Sequence, residues 1–148
     1  VDSEITVQHL GSNRFAIGIR GHRLVVDQPS DESHREEGPT PTELFVAALA
    51  SCAAHFAHRV LVRDDPHATV GVRCGYRMTL DAPHRVERVD LHVTLPPGLS
   101  AQRRISVERA MQHCTVHESL RIPPRVEISL APDAEAVVPL AAAAPANA

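Results

Sequence analysis

Three cysteines, Cys52, Cys74 and Cys114, are the strongest nucleophiles in this chain, and two of them have a histidine three residues on: Cys52 with His55, and Cys114 with His117. On a helix that spacing puts both side chains on one face. A thiolate is both a nucleophile and a metal ligand, so thiol redox chemistry and a Cys2His2 metal site are both open to these pairs. Structural zinc pairs usually lie in tight turns, whereas Cys52 and His55 sit inside a long apolar run, which weighs against the metal. A third reading is plain packing. Free cysteine is among the most often buried residues, and Cys52 has Ala48 and Leu49 one turn before it and Phe56 one turn after. Cys114 falls at a junction between helical segments, where free backbone N–H groups could stabilise a thiolate. Cys74, between Arg73 and Gly75 in an alternating stretch, reads as structural.

Arg14, which follows the turn signal Gly11-Ser12-Asn13, reads as a solvated loop arginine, and Glu43 as the partner of a Thr40 helix cap. All fifteen basic residues are arginine, so Schiff-base and P-loop lysine chemistry are excluded. A net charge of -3, 3% aromatic residues and no Trp exclude a nucleic-acid binder that works through a basic face or stacking platforms. An odd number of cysteines without disulfide-framework spacing favours reduced thiols. No stretch approaches eighteen consecutive apolar residues, and Val1-Asp2-Ser3-Glu4 is unlike a signal peptide. A cytoplasmic protein without a membrane partner is expected.

The elements that must position these groups follow from periodicity and turn residues. Residues 5–10, 15–19 and 24–27 predict a small antiparallel β-meander. Residues 29–41 are polar and predict an exposed loop. Thr40-Pro41-Thr42-Glu43 then has the form of a capping box with proline at the first helical position. The helix it opens is apolar nearly all round in its first half and should be buried. Residues 70–80 and 85–95 predict a hairpin, Ser100 a cap for a second helix leading to Cys114, and residues 126–130 a closing strand. The Ala- and Pro-rich residues 131–148 have too little bulky apolar surface to order. One α+β domain over residues 1–130 is expected.

The run Gly38-Pro39-Thr40-Pro41-Thr42-Glu43-Leu44-Phe45-Val46-Ala47-Ala48-Leu49-Ala50-Ser51-Cys52 resembles the helix entry of OsmC/Ohr-like proteins (osmotically inducible and organic hydroperoxide resistance proteins), whose first redox cysteine takes the place of Cys52. Cys114-Thr115-Val116-His117-Glu118-Ser119-Leu120 is similar to the second family signature, with Thr115 where relatives commonly have proline. The resemblance covers roughly residues 5–130 and implies an intertwined homodimer. It also implies an enzyme without metal or cofactor that reduces organic hydroperoxides: Cys52 attacks the peroxide, Cys114 resolves the sulfenic acid as a disulfide, and a dithiol reduces that disulfide. It gives Phe45, Leu49, Phe56 and Met111 as an apolar substrate pocket, Arg14 as a thiolate or peroxide stabiliser and Glu43 as a charge partner. In the hydroperoxide-resistance subgroup a glutamate directly follows the Pro41 equivalent; here that position is Thr42, and Glu43 stands one residue later, turned by about 100° on a helix. The substitution leaves a second reading on the same fold, a non-catalytic binding protein for a small thiol-reactive or apolar ligand or a metal.

Overall fold

The computed structural model describes residues 4–29 and 36–131. Its contacts divide the chain into two compact units, one of Val1–Glu43 with Glu127–Ala148 and one of Leu44–Val126. Most of the polar loop expected at residues 29–41 is described, but residues 30–35 and the Ala/Pro-rich tail from 132 on lie outside the described residues.

The first unit holds the predicted meander: β1 (Ile5–Gly11), β2 (Arg14–Ile19) and β3 (His22–Asp27), antiparallel and adjacent in that order. The first turn needs left-handed backbone, taken by Gly11 at φ 103° and Ser12 at φ 51°. At the second turn Arg20, not Gly21, takes the positive φ, at 57°. The register sets Arg14 opposite Asp27, with Ala16, Val26 and Asp27 buried. The chain leading to the first helix lies along β3: the Asp27 N–H donates to the Pro39 carbonyl at 3.1 Å, and a Cβ on Gly38 would collide with the carbonyl of Val25.

The helix α1 (Pro41–Leu61) opens with the expected capping box. The Thr40 hydroxyl accepts the Glu43 N–H at 3.2 Å, and the Glu43 carboxylate accepts the Thr40 N–H at 2.7 Å. Burial corrects the sequence reading here. Only one stripe of α1 is buried, Val46, Leu49, Ala53, Ala57 and Leu61 at the i, i+3/i+4 spacing of a single helical face, while Phe45, Ala47 and Ala48 are exposed. Among the described residues α1 is the one helix long and apolar enough to cross a membrane, and 28% of that stretch is buried. Composition could not show this, because apolar content sets how much of a helix can be buried but not how many neighbours one chain supplies to bury it.

In the second unit β4 (Gly71–Met78) and β5 (Val86–Thr94) form the antiparallel hairpin, with Cys74 opposite Leu91. It is shorter than the alternation suggested: Leu80 lies in the connection, nearly fully exposed. α2 (Ala101–Gln112) starts at Ser100, whose side chain accepts the Arg103 N–H at 3.2 Å. Val107, the one buried residue of α2, packs with Ala57, Leu61 and Ala68, flanked by Val60, Val70, Leu95, Leu99 and Met111. Arg103 adds a polar tie, donating to the Val60 carbonyl at 2.8 Å and pairing with Asp64 at the end of α1. A short α3 (Thr115–Arg121) follows, and Pro123-Pro124 cannot continue it.

The closing strand expected at residues 126–130 is not formed. These residues belong to no strand, and Val126, Ile128 and Leu130 are 77%, 90% and 93% exposed. Alternation supplies an apolar face, but a strand exists only through a ladder partner, and among the described residues no strand edge pairs with this segment.

Candidate active site

Cys114 sits at the kink between α2 and α3. The N–H of His113, the last cap of α2, donates to the carbonyls of Ala110 and Arg109 at 3.2 and 3.3 Å, and the Cys114 N–H donates to Met111 at 3.1 Å. Cys114 then turns extended, at φ -68° and ψ 146°, and becomes the N-cap of α3. Its Sγ does what a serine hydroxyl does elsewhere, accepting the backbone N–H of His117 at 3.4 Å. The residue is fully buried.

Cys52, half-buried on α1, lies close enough to Cys114 to influence its titration, and both are free thiols. Burial pushes the Cys114 thiol up, since a thiolate there loses its hydration. The N–H of His117 opposes the rise, the neighbouring Cys52 adds to it, and the N–H of Val116 again opposes it. Cys74 is half-buried on β4, raised first by burial and then by the Asp90 carboxylate; its sulfur contacts the Gly75 carbonyl at 3.9 Å.

The charged candidates are engaged locally. Arg14 pairs with Glu37 at 2.7 Å within the first unit, and Glu43 is held by the Thr40 cap. Two cavities of the second unit are lined in part by α1. One, about 370 Å³, is lined by Leu49, Ala53, Leu91, Val107 and Met111, with Arg104 and His117 among its polar members. The other, about 460 Å³, is lined by Phe45, Leu49, Val89 and Leu120, with Arg88 and Arg121. Leu49 and His117 belong to both.

Three of the four expected pocket residues therefore line cavities, but they are split: Met111 on one, Phe45 on the other, Leu49 on both. Phe56 lines neither. Its ring instead lies 5.7 Å from the Arg59 guanidinium and meets His55 edge-on. Neither Cys52 nor Cys114 is a lining residue of these cavities. Among the described residues no three His, Cys, Asp or Glu side chains converge as a metal-binding group.

Sequence reasoning missed Glu37 and Glu118. Nothing local marks Glu37 within its polar loop. Glu118 had a readable sign, its i, i+3 spacing to Arg121, which forms an ion pair at 2.7 Å.

The family model described as OsmC-like protein matches residues 33–129. No match is found among curated proteins. Similar solved structures include a protein of Psychrobacter arcticus 273-4 whose name links it to osmotic stress induction and a detoxification response, at 24% identity and TM-score 0.67, covering 78% of this chain and 85% of that one. An organic hydroperoxide resistance protein OsmC from Legionella pneumophila aligns at 16% identity and TM-score 0.61, covering 82% of this chain and 90% of that one. The organic hydroperoxide resistance protein OhrB of Bacillus subtilis aligns at 18% identity and TM-score 0.61, covering 82% and 91%. At such identities the likeness is one of fold, and the α+β architecture agrees.

Proposed function

Because the chain belongs to the OsmC-like family, we propose that it is a thiol peroxidase that reduces organic hydroperoxides with Cys52 and Cys114. The observation that carries this reading is the proximity of a half-buried thiol on α1 to a fully buried one at the α3 N-cap. The Cys52 thiolate attacks the outer peroxide oxygen: an S–O bond forms, the O–O bond breaks, and the alkoxide leaves as alcohol after taking a proton. Cys114 then attacks the sulfenic sulfur; the S–S bond forms, the S–O bond breaks, and water departs. A dithiol restores both thiols by exchange.

In this reading Arg14 and Glu43 supply charge to the thiolate or peroxide, although each holds a local partner, Glu37 and Thr40 respectively. The apolar residues lining the cavities, Phe45, Leu49 and Met111, receive the alkyl group. The two compact units work as one domain, a reading supported by a family match that runs across their boundary. A cytoplasmic homodimer completes the proposal; the exposed apolar side of α1, including Phe45, Ala47 and Ala48, is surface that a second copy would cover.

A non-catalytic binding protein is the rival, favoured by an apolar cavity that neither cysteine lines. Steady-state consumption of cumene hydroperoxide with a dithiol reductant separates them, measured on the native protein, Cys52→Ser and Cys114→Ser. Turnover abolished in both variants supports the peroxidase. Native turnover no faster than either variant supports the binding protein.

A further inference from the structure

One carboxylate spans the kink that carries Cys114. Glu118 accepts from His113 Nδ1 at 3.3 Å through Oε1, and from Arg121 Nε at 3.1 Å and Nη2 at 2.7 Å through Oε2. His113 is the C-cap of α2, Arg121 closes α3, and Cys114 lies between the helices. The Glu118 N–H also donates to the Cys114 carbonyl at 2.9 Å.

These polar contacts matter because α3 has little else to fix its direction. It is seven residues long and has no buried side chain. So short a helix is marginal without tertiary support. Sulfur is a weak acceptor, so the 3.4 Å bond from His117 to Cys114 cannot hold the kink alone.

We propose that Glu118 is a positioning residue for Cys114: by tying the end of α2 to α3 it holds the thiol at the α3 N-cap beside Cys52. The chemical purpose rests on the peroxidase reading; the hold itself does not. The charged groups acting on Glu118 are Arg121 from its own helix and His113 from the end of α2. The His113 contact needs a proton on Nδ1 facing the carboxylate.

The test uses the full reduced chain and follows iodoacetamide alkylation of each cysteine by peptide mass, at one fixed pH, for native protein, Glu118→Gln, Glu118→Asp and His113→Gln. A buried thiol reacts only as the kink opens, so Cys114 in Glu118→Gln should react about two- to fivefold faster than in native protein, the scale expected for partly exposed charge contacts. Glu118→Asp should fall between, and Cys74 should be unchanged. His113→Gln should raise the Cys114 rate less than Glu118→Gln does, because it keeps the Arg121 pair. Equal Cys114 rates in Glu118→Gln and native protein would overturn the proposal. Should Glu118→Gln unfold, seen as all three cysteines reacting together, His113→Gln and Arg121→Gln decide it by the same ratios. A protein that alkylates as expected yet consumes no hydroperoxide keeps the positioning role and loses only the peroxidase reading.

Discussion

Val107 is the anchor on which the placement of Cys114 depends. It is 1% exposed, the only buried residue of α2, and packs on Ala57, Leu61 and Ala68. Val107→Ala removes two carbon groups from that cluster, each worth about 0.8 kcal/mol of transfer. The void adds a cavity cost, because α1 cannot close onto α2 without moving Arg103 off the Val60 carbonyl. The expected loss is about 2–3 kcal/mol. With a urea slope of about 2 kcal/mol per molar, the midpoint should fall by about 1–1.5 M in equilibrium unfolding. Ile105→Ala on the same helix is the control. Ile105 is 42% exposed, so its truncation should cost less than about 1 kcal/mol. Equal losses for the two variants, or a Val107 loss under about 1 kcal/mol, would refute the assignment of Val107 as the anchor.

Other outcomes follow from the same contacts. Gly38→Ala places a methyl against the Val25 carbonyl, and backbone must shift, so a stability loss of about 1–3 kcal/mol is expected in thermal unfolding. Glu43→Ala removes half of the capping box and should cost about 1 kcal/mol; a matching fall in peroxide consumption beyond that seen with Thr40→Ala would assign Glu43 a charge role as well. Because burial raises the Cys114 thiol, its attacking thiolate is scarce at neutral pH. Disulfide closure after a peroxide pulse should therefore accelerate with pH to beyond the usual cysteine value of about 8.5, and stopped-flow traces that plateau below pH 8 would contradict this. Cys74→Ser should leave peroxide-driven disulfide formation intact, as read by mass mapping, since its contacts are with Gly75 and Asp90.

The parts of the fold legible in the sequence are those decided locally. Thr40, Pro41 and Glu43 announced the start of α1, Ser100 that of α2, and Cys114 was placed correctly at a helical junction, because caps and turns are written within four residues. The parts that were not legible depend on partners far along the chain. Residues 126–130 alternate like a strand, yet a ladder needs an available edge. The apolar first half of α1 reads as buried on all sides, yet one stripe is covered. The candidate site divides the same way. Two cysteines stood out by type and spacing, and their proximity required the fold. Arg14 carried no sign that Glu37 would hold it, and Phe56, although in the same apolar run as Leu49, spends its ring on Arg59 and His55.

The most direct test of the central claim is to treat reduced protein with one equivalent of cumene hydroperoxide, count the remaining thiols and map any disulfide by peptide mass. The account predicts rapid loss of two thiols, a single Cys52–Cys114 linkage and a free Cys74. Three thiols remaining, or a linkage that includes Cys74 in place of Cys52 or Cys114, would contradict it.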